Sequence, residues 1–327
     1  MGQFEYIARQ LMIVAGVIMI VFGLFGNILN ILVFTNWSRS RTTRNNQLKK
    51  IQTSNSPLYL LTSSIANFTV IAYAVTTRIL FDGYQYPVTQ NNMVFLCKLR
   101  FYCLHTFDTI SWVCLCMAMF DRYLVSSREV RLRQLSRTRQ ETKIIILFII
   151  CLIGLHSIPI ANYYDVSKFG QCIIYSTSYL YYYRYTFQIF LHGIIPIIIF
   201  SILGFLTFTQ LKMIRNIQNI NKNINVDKQL SRMFLLMSIT IVLSSIPYTV
   251  ENIYYLIFAD SSQQQTSYVF FFHILSSILF YTNAVWSFYV YYISTPNFRM
   301  QVQKIIFCKK DLNRFMNNQI HTITTLQ

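Results

Sequence analysis

Seven long apolar stretches, at about residues 11–35, 57–81, 95–125, 143–163, 185–211, 231–258 and 267–293, decide what this chain can become. Each supplies about the 20 apolar residues that an α-helix needs to cross ~30 Å of hydrocarbon. By length alone, a chain of 327 residues would divide into two soluble domains. Its apolar content of 54% against 12% charged leaves too little charge to solvate a soluble surface. The expected fold is an all-α membrane protein, a seven-helix bundle with a short amphipathic eighth helix.

Charge sets the expected orientation. The loops after the first, third and fifth stretches, with Arg122 and the C-terminal tail, hold 22 of the 28 Lys and Arg but only five of the 11 acids. The formal charge of +17 therefore belongs to one face. Basic short loops stay cytoplasmic, so the N-terminus is expected outside and the C-terminus inside a plasma membrane. This gives an extracellular N-terminus over 1–10, the bundle over 11–293, an interfacial helix over 294–308 and a polar, unstructured cytoplasmic tail over 309–327. The bases are spread among membrane-flanking loops, with no separate basic domain, which argues against nucleic acid and for anionic inner-leaflet lipid. The first stretch is too long for a signal-peptide core and reads as an uncleaved span. Tyr6 stands where a myristoylation signal wants Ser or Thr.

Of the seven cysteines, Cys103, Cys114, Cys116 and Cys151 lie inside spans and read as packing residues. Cys97 opens the third span and Cys172 lies between the fourth and fifth, both on the oxidising side, so a disulfide is expected between them. Cys308 in the basic tail is a palmitoylation candidate. Pro159, Pro196 and Pro247 interrupt spans four, five and six and permit kinks. Val130, Leu132 and Leu135 among arginines predict a short amphipathic turn. Phe298, Val302, Ile305 and Ile306 recur at helical spacing after Pro296, as an interfacial helix requires.

Asp121-Arg122-Tyr123 ends the third span, 25 residues after Cys97, or about 37 Å along a helix. With seven spans and this orientation, the chain resembles the rhodopsin-like (class A) G-protein-coupled receptors over about residues 8–310. Gly26-Asn27, Pro196, Pro247 and Asn283-Ala-Val-Trp-Ser-Phe-Tyr-Val-Tyr291 followed by Phe298-Arg299 are similar to that family's motifs. Phe288, at the usual proline place, resembles receptors for FMRFamide and related neuropeptides. The resemblance implies that Asp121, Arg122, Tyr123 and Tyr291 serve G-protein coupling. It also implies that an Arg122–Asp227 pair latches the resting state, with arrestin as a further partner.

The chain departs from the pattern in places. Asn67 replaces an acid in a polar core that includes Asn27, Ser111 and Asn283, so a sodium site would lack its carboxylate. Ser287 replaces a polar last-span residue, and Ser244-Ser245-Ile246-Pro247 lacks the aromatic switch. Gly204 stands where span five often has Tyr, and span four lacks its Trp.

The implied ligand pocket draws Arg100, Leu104, His105 and Asp108 from span three and Gln188 and His192 from span five. Tyr248, Glu251 and Asn252 come from span six, and His273, Ser277 and Tyr281 from span seven. Asp108 is singled out because intramembrane acids are expensive. Leu104 stands where amine receptors carry Asp, and the last span has no Lys for retinal. The tyrosine-dense IIYSTSYLYYYRY, in an outer loop read as 164–184, is expected to form a hairpin over the pocket. Its aromatic surface suits a peptide, and it equally suits an interfacial belt.

No phosphate loop, metal-ligand cluster, cofactor motif or nucleophile constellation marks an enzyme. A neuropeptide receptor is the first reading and a chemosensory small-molecule receptor the second. A transporter or channel, the rival from another class, predicts repeated halves and several mid-membrane charges that this chain lacks.

Overall fold

Every apolar stretch becomes a helix long enough to cross a bilayer in a computed structural model of the chain. The spans are Gln3–Arg39, Ser56–Gly83, Val94–Val125, Arg139–Tyr163, Thr177–Thr209, Ser231–Tyr254 and Ser267–Ser294. The structure describes residues 2–45, 55–86, 94–127, 129–166, 172–215, 223–258 and 267–306. Cys308 and the tail over 309–327 lie outside the described residues.

The first span packs against the second and seventh, the third against the second and fourth, and the fifth and sixth against each other. The core is continuous at the basic end, where Phe34, Tyr59, Met119, Phe234, Tyr291 and Phe298 are all at most 2% exposed. Conversely, many large apolar side chains point outward, among them Val21, Leu147, Phe205 and Leu243 at 60–70% exposure. Such a surface suits hydrocarbon, not water.

Local signals explain the helix boundaries. Thr138 and Glu141 form a reciprocal capping box that starts the fourth span. The short helix Val130–Gln134 forms where the amphipathic turn was expected. Helix Pro296–Ile306 buries Phe298 and Val302 against the bundle while Ile306 stays exposed.

Two differences from the expectation matter. The first helix begins at Gln3, so residues 3–10 are already helical. The hairpin exists but is displaced, with β1 (Tyr164–Val166) pairing antiparallel with β2 (Cys172–Ile174), Val166 opposite Cys172. Beyond Ile174 the tyrosine-dense segment is helical, and the fifth span starts at Thr177, not 185. Ser176 caps it by accepting from the Tyr179 amide. Tyr179, Tyr183 and Phe187, spaced four apart, then bury one stripe against Ile160 and Tyr164. Helical burial of this stripe outweighs the β-preference of the individual tyrosines. Tyr181, Tyr182 and Tyr185, off the stripe, are 43–46% exposed, as an interfacial belt requires.

Pro159 and Pro247 lie inside their helices. Pro196 follows twelve residues of wide, π-type turns, Tyr183–Ile194. Wider turns relax the clash between a proline ring and the preceding carbonyls. The second span carries similar turns at Val70–Val75 and Ile79–Gly83 with no proline to announce them.

Candidate functional site

The Cys97–Cys172 disulfide ties β2 to the top of the third span. Phe101 stacks on Tyr164 at 4.0 Å, which seats the hairpin against the same helix. Beneath it, the bundle interior holds two polar networks.

The first joins spans two, three, six and seven through charge. Arg78 is 7% exposed and lies 2.8 Å from the Asp82 carboxylate, one helical turn on. Arg100 reaches the same carboxylate at 3.3 Å and lies over the rings of Phe81 and Phe101. The Arg78 guanidinium also donates to His273 Nε2 at 2.7 Å and sits 5.7 Å from the Tyr281 ring centre. Arginine has no acceptor, so His273 Nε2 accepts and its Nδ1–H donates to Glu251, 2.6 Å away. Ser276 donates to the other Glu251 oxygen. One continuous path of charged groups thus runs from Arg100 to Glu251.

The second network joins spans three and five. His192 Nδ1 lies 2.8 Å from Asp108 Oδ2, and His105 Nδ1 lies 3.1 Å from His192 Nε2. With Asp108 as the acceptor, His192 donates from Nδ1 and accepts at Nε2 from His105. His105 Nε2 then accepts the Tyr183 hydroxyl. One tautomer of each ring satisfies the whole chain. Both histidines are at most 3% exposed, so these bonds replace water that cannot reach them.

Six of the twelve expected pocket residues meet here. Leu104, His105, His192, Tyr248, Ser277 and Tyr281 line one cavity with Arg78 and Phe280. That cavity has room for about 20 Å³, far below the ~300–1,000 Å³ of a typical ligand site. Among the described residues, this part of the implied pocket is therefore filled by its own side chains. Arg100 and Glu251 belong to the charged network instead. Asn252 is turned back, donating to the Tyr248 carbonyl of its own helix. Gln188, half-buried in the wide turns, lines neither this cavity nor the one below. Arg78 and Asp82 were missed, although two opposite charges four apart inside a span are the signal that intramembrane charge gives.

Asp108 lines a second cavity lower down, of about 40 Å³, with Ser63, Asn67, Ser111 and Asn283. The Ser111 hydroxyl donates to Asn67 at 2.6 Å, and the Ser244 hydroxyl donates to Asn283 at 2.6 Å. Asn27 donates to the carbonyls of Gly23 and Ala284, pinning the first span to the seventh. Ser245 borders the cavity where an aromatic switch was missing.

At the basic end, the Asp121 carboxylate accepts from the amides of Asn55 and Ser56 at 2.8 and 3.0 Å and from the Ser56 hydroxyl at 3.1 Å. An acid of span three thus satisfies donors at the start of span two, where the helix dipole also favours negative charge. Arg122 is 6% exposed and Tyr123 half-buried. Tyr291 is 2% exposed, packed between Phe34 and Phe298 at ring distances of 5.6 and 5.8 Å. Neither Arg122 nor Tyr291 is presented to a partner in this arrangement. Asp227 falls in helix Asn223–Phe258, but its side chain is outside the described residues, so the Arg122–Asp227 pair remains an expectation.

No curated protein matches the chain. The profile of the 7 transmembrane receptor (rhodopsin family) matches residues 26–291, from the second residue before Ile28 in span one to the buried Tyr291 in span seven. Seven spans, the disulfide-tied hairpin, the Asp-Arg-Tyr end of span three and this match together establish that the chain belongs to the rhodopsin family of seven-transmembrane receptors.

Proposed function

We propose that this chain is a plasma-membrane receptor, N-terminus outside, that binds an extracellular peptide and activates a heterotrimeric G protein. The observation that carries the reading is the path Arg100–Asp82–Arg78–His273–Glu251, in which buried Arg78 and Arg100 join part-buried Asp82, His273 and Glu251 across four helices. Buried charges are retained at a cost in stability, and here they lie where a ligand from outside would arrive. A peptide carries charge and hydrogen-bonding groups of both signs, as the path does. The narrow cavity requires these side chains to part on binding, so the ligand must favour the opened arrangement over the closed one.

In the open arrangement span six moves away from span three, and Arg122, Tyr123 and Tyr291 become reachable from the cytosol. In the resting state Asp227 holds Arg122. Arrestin would use the same opening. A small-molecule ligand is the second reading, and the smallness of the cavity favours it.

A peptide library and a small-molecule library, applied to cells and read by G-protein activation, test the proposal. Peptide hits whose potency falls roughly 10- to 100-fold with Glu251→Gln are expected, since a hydrogen bond to a charged group is worth about 1.5–3 kcal/mol. Small-molecule hits alone would replace the peptide reading. Tags at both termini detected on the same side of the membrane would end it. Asp227→Asn is expected to raise ligand-free signalling, and unchanged basal activity removes the latch.

A further inference from the structure

Spans five and six touch through two glycines. A Cβ on Gly193 would lie 2.6 Å from the Thr249 hydroxyl, and one on Gly204 would lie 3.2 Å from Ser238 Cβ. Small residues let two membrane helices approach this closely. Beside Gly204 the side-chain walls part, and a groove of about 320 Å³ opens toward the outside of the bundle. Phe205 and Phe208 form one wall, and Leu235, Ile239 and Leu243 form the other. Phe205 is 70% exposed and Leu243 65%, so no described residue covers the groove. Gly204 stands where related receptors often carry a tyrosine; lacking a side chain, it leaves the floor open.

The groove has a depth and a charged end. The apolar stretch of the sixth span begins at about residue 231, within helix Asn223–Phe258, so Leu235 to Leu243 lie roughly 6–18 Å from its basic end. That range fits within about one leaflet of a ~30 Å hydrocarbon core. Arg232 is exposed at that end. It precedes Leu235, Ile239 and Leu243 by three, seven and eleven residues, which puts it on their face of the helix. The groove's own lining carries no charge. A guanidinium at the bilayer boundary above an uncharged, hydrocarbon-facing slot matches one kind of molecule, an anionic headgroup with a long alkyl chain.

We propose that the cleft between the fifth and sixth spans is a binding site for a phospholipid with a net negative headgroup. Its acyl chain lies along Gly204, Phe205 and Ile239, and its headgroup meets Arg232. The site is independent of what ligand the outer end takes and of any G protein.

The test uses the full chain in phosphatidylcholine nanodiscs doped with a phosphatidylserine that carries a photoreactive acyl chain. Adducts are mapped by mass spectrometry. They are expected to concentrate on the segments around Gly204–Phe208 and Leu235–Leu243. The same probe on phosphatidylcholine should label these segments about 5-fold less, the factor one basic residue near an anionic surface supplies. Arg232→Gln, an exposed change, should bring phosphatidylserine labelling down to the phosphatidylcholine level. Ile239→Trp narrows the groove from its open side, away from the Gly204–Ser238 contact, and should reduce labelling by both probes. The proposal is overturned by labelling spread evenly over the outward faces of all spans, or by equal labelling from the two headgroups. An Arg232→Gln variant that labels as before, or a sterol photoprobe that outcompetes phosphatidylserine in the groove, also overturns it.

Discussion

The two ends of the bundle solve the same problem in opposite ways. Beneath the hairpin, Arg78, Asp82, Arg100, Glu251 and His273 are drawn into the interior and satisfied by one another. At the basic end the centre is filled by rings, Phe34, Tyr291 and Phe298. There the Asp121 carboxylate is occupied by the amides of a helix start. A ligand arriving at the first end meets groups that can exchange partners. A protein arriving at the second must first displace packed side chains. The difference teaches where specificity resides and where movement is needed, since polar pairs are rebuilt by a competing partner and a packed core opens only as a unit.

The comparison breaks if the charged path does not behave as one unit. The largest effect is expected from Arg78→Met, which leaves Asp82 to Arg100 alone and also removes the donor to His273. It should cost about 3–5 kcal/mol, as does breaking other buried pairs. Arg100→Gln should cost less than half of that, because Arg78 still holds Asp82. Thermal unfolding of the purified receptor in detergent measures both, and equal losses would show that the path is not centred on Arg78.

Next in size is Asp121→Ala, which takes the acceptor from the Asn55 and Ser56 amides and should cost about 1–3 kcal/mol, with Asp121→Asn recovering part of it. Faster hydrogen exchange confined to the start of span two is the diagnostic readout. The His105–His192 pair should be coupled more weakly. A double-mutant cycle with His105→Phe and His192→Phe is expected to give an interaction of about 0.5–1.5 kcal/mol, and a value near zero would mean that the rings pack without their bond. The smallest effect concerns cations in the lower cavity. Asn67 is neutral and already accepts from Ser111, and Asp108 is held by His192. Exchanging sodium for a bulky organic cation should therefore change agonist affinity by less than about 2-fold; a larger shift would show that Asp108 supplies the missing carboxylate.

Much of this was legible along the chain because hydrocarbon is an unforgiving solvent. Every backbone group must be satisfied within its own segment, so seven apolar runs admit little but seven helices. The Cys97–Cys172 pairing follows from both cysteines lying on the oxidising side, and the interfacial helix after Pro296 follows from local spacing. The fifth span was misjudged by eight residues because Tyr179, Tyr183 and Phe187 have strand-favouring side chains at helical spacing, and the spacing won. The wide turns at Val70–Val75 carry no local mark, since helix widening answers to neighbours rather than to composition.

Alone, the sequence determined how many times the chain crosses the membrane, which loops carry the positive charge, and to which family its motifs belong. Those are sums over local segments, and hydrophobicity, charge and spacing are local quantities. Tertiary structure alone decided that Arg78 faces His273 across 195 positions and that Asp108 holds His192 across 84. It also decided that, among the described residues, Leu104, His105, His192, Tyr248, Ser277 and Tyr281 close around a cavity of only about 20 Å³. Which of many buried polar groups pair depends on how seven helices rotate and tilt against one another, and that choice is made by packing of the whole bundle at once.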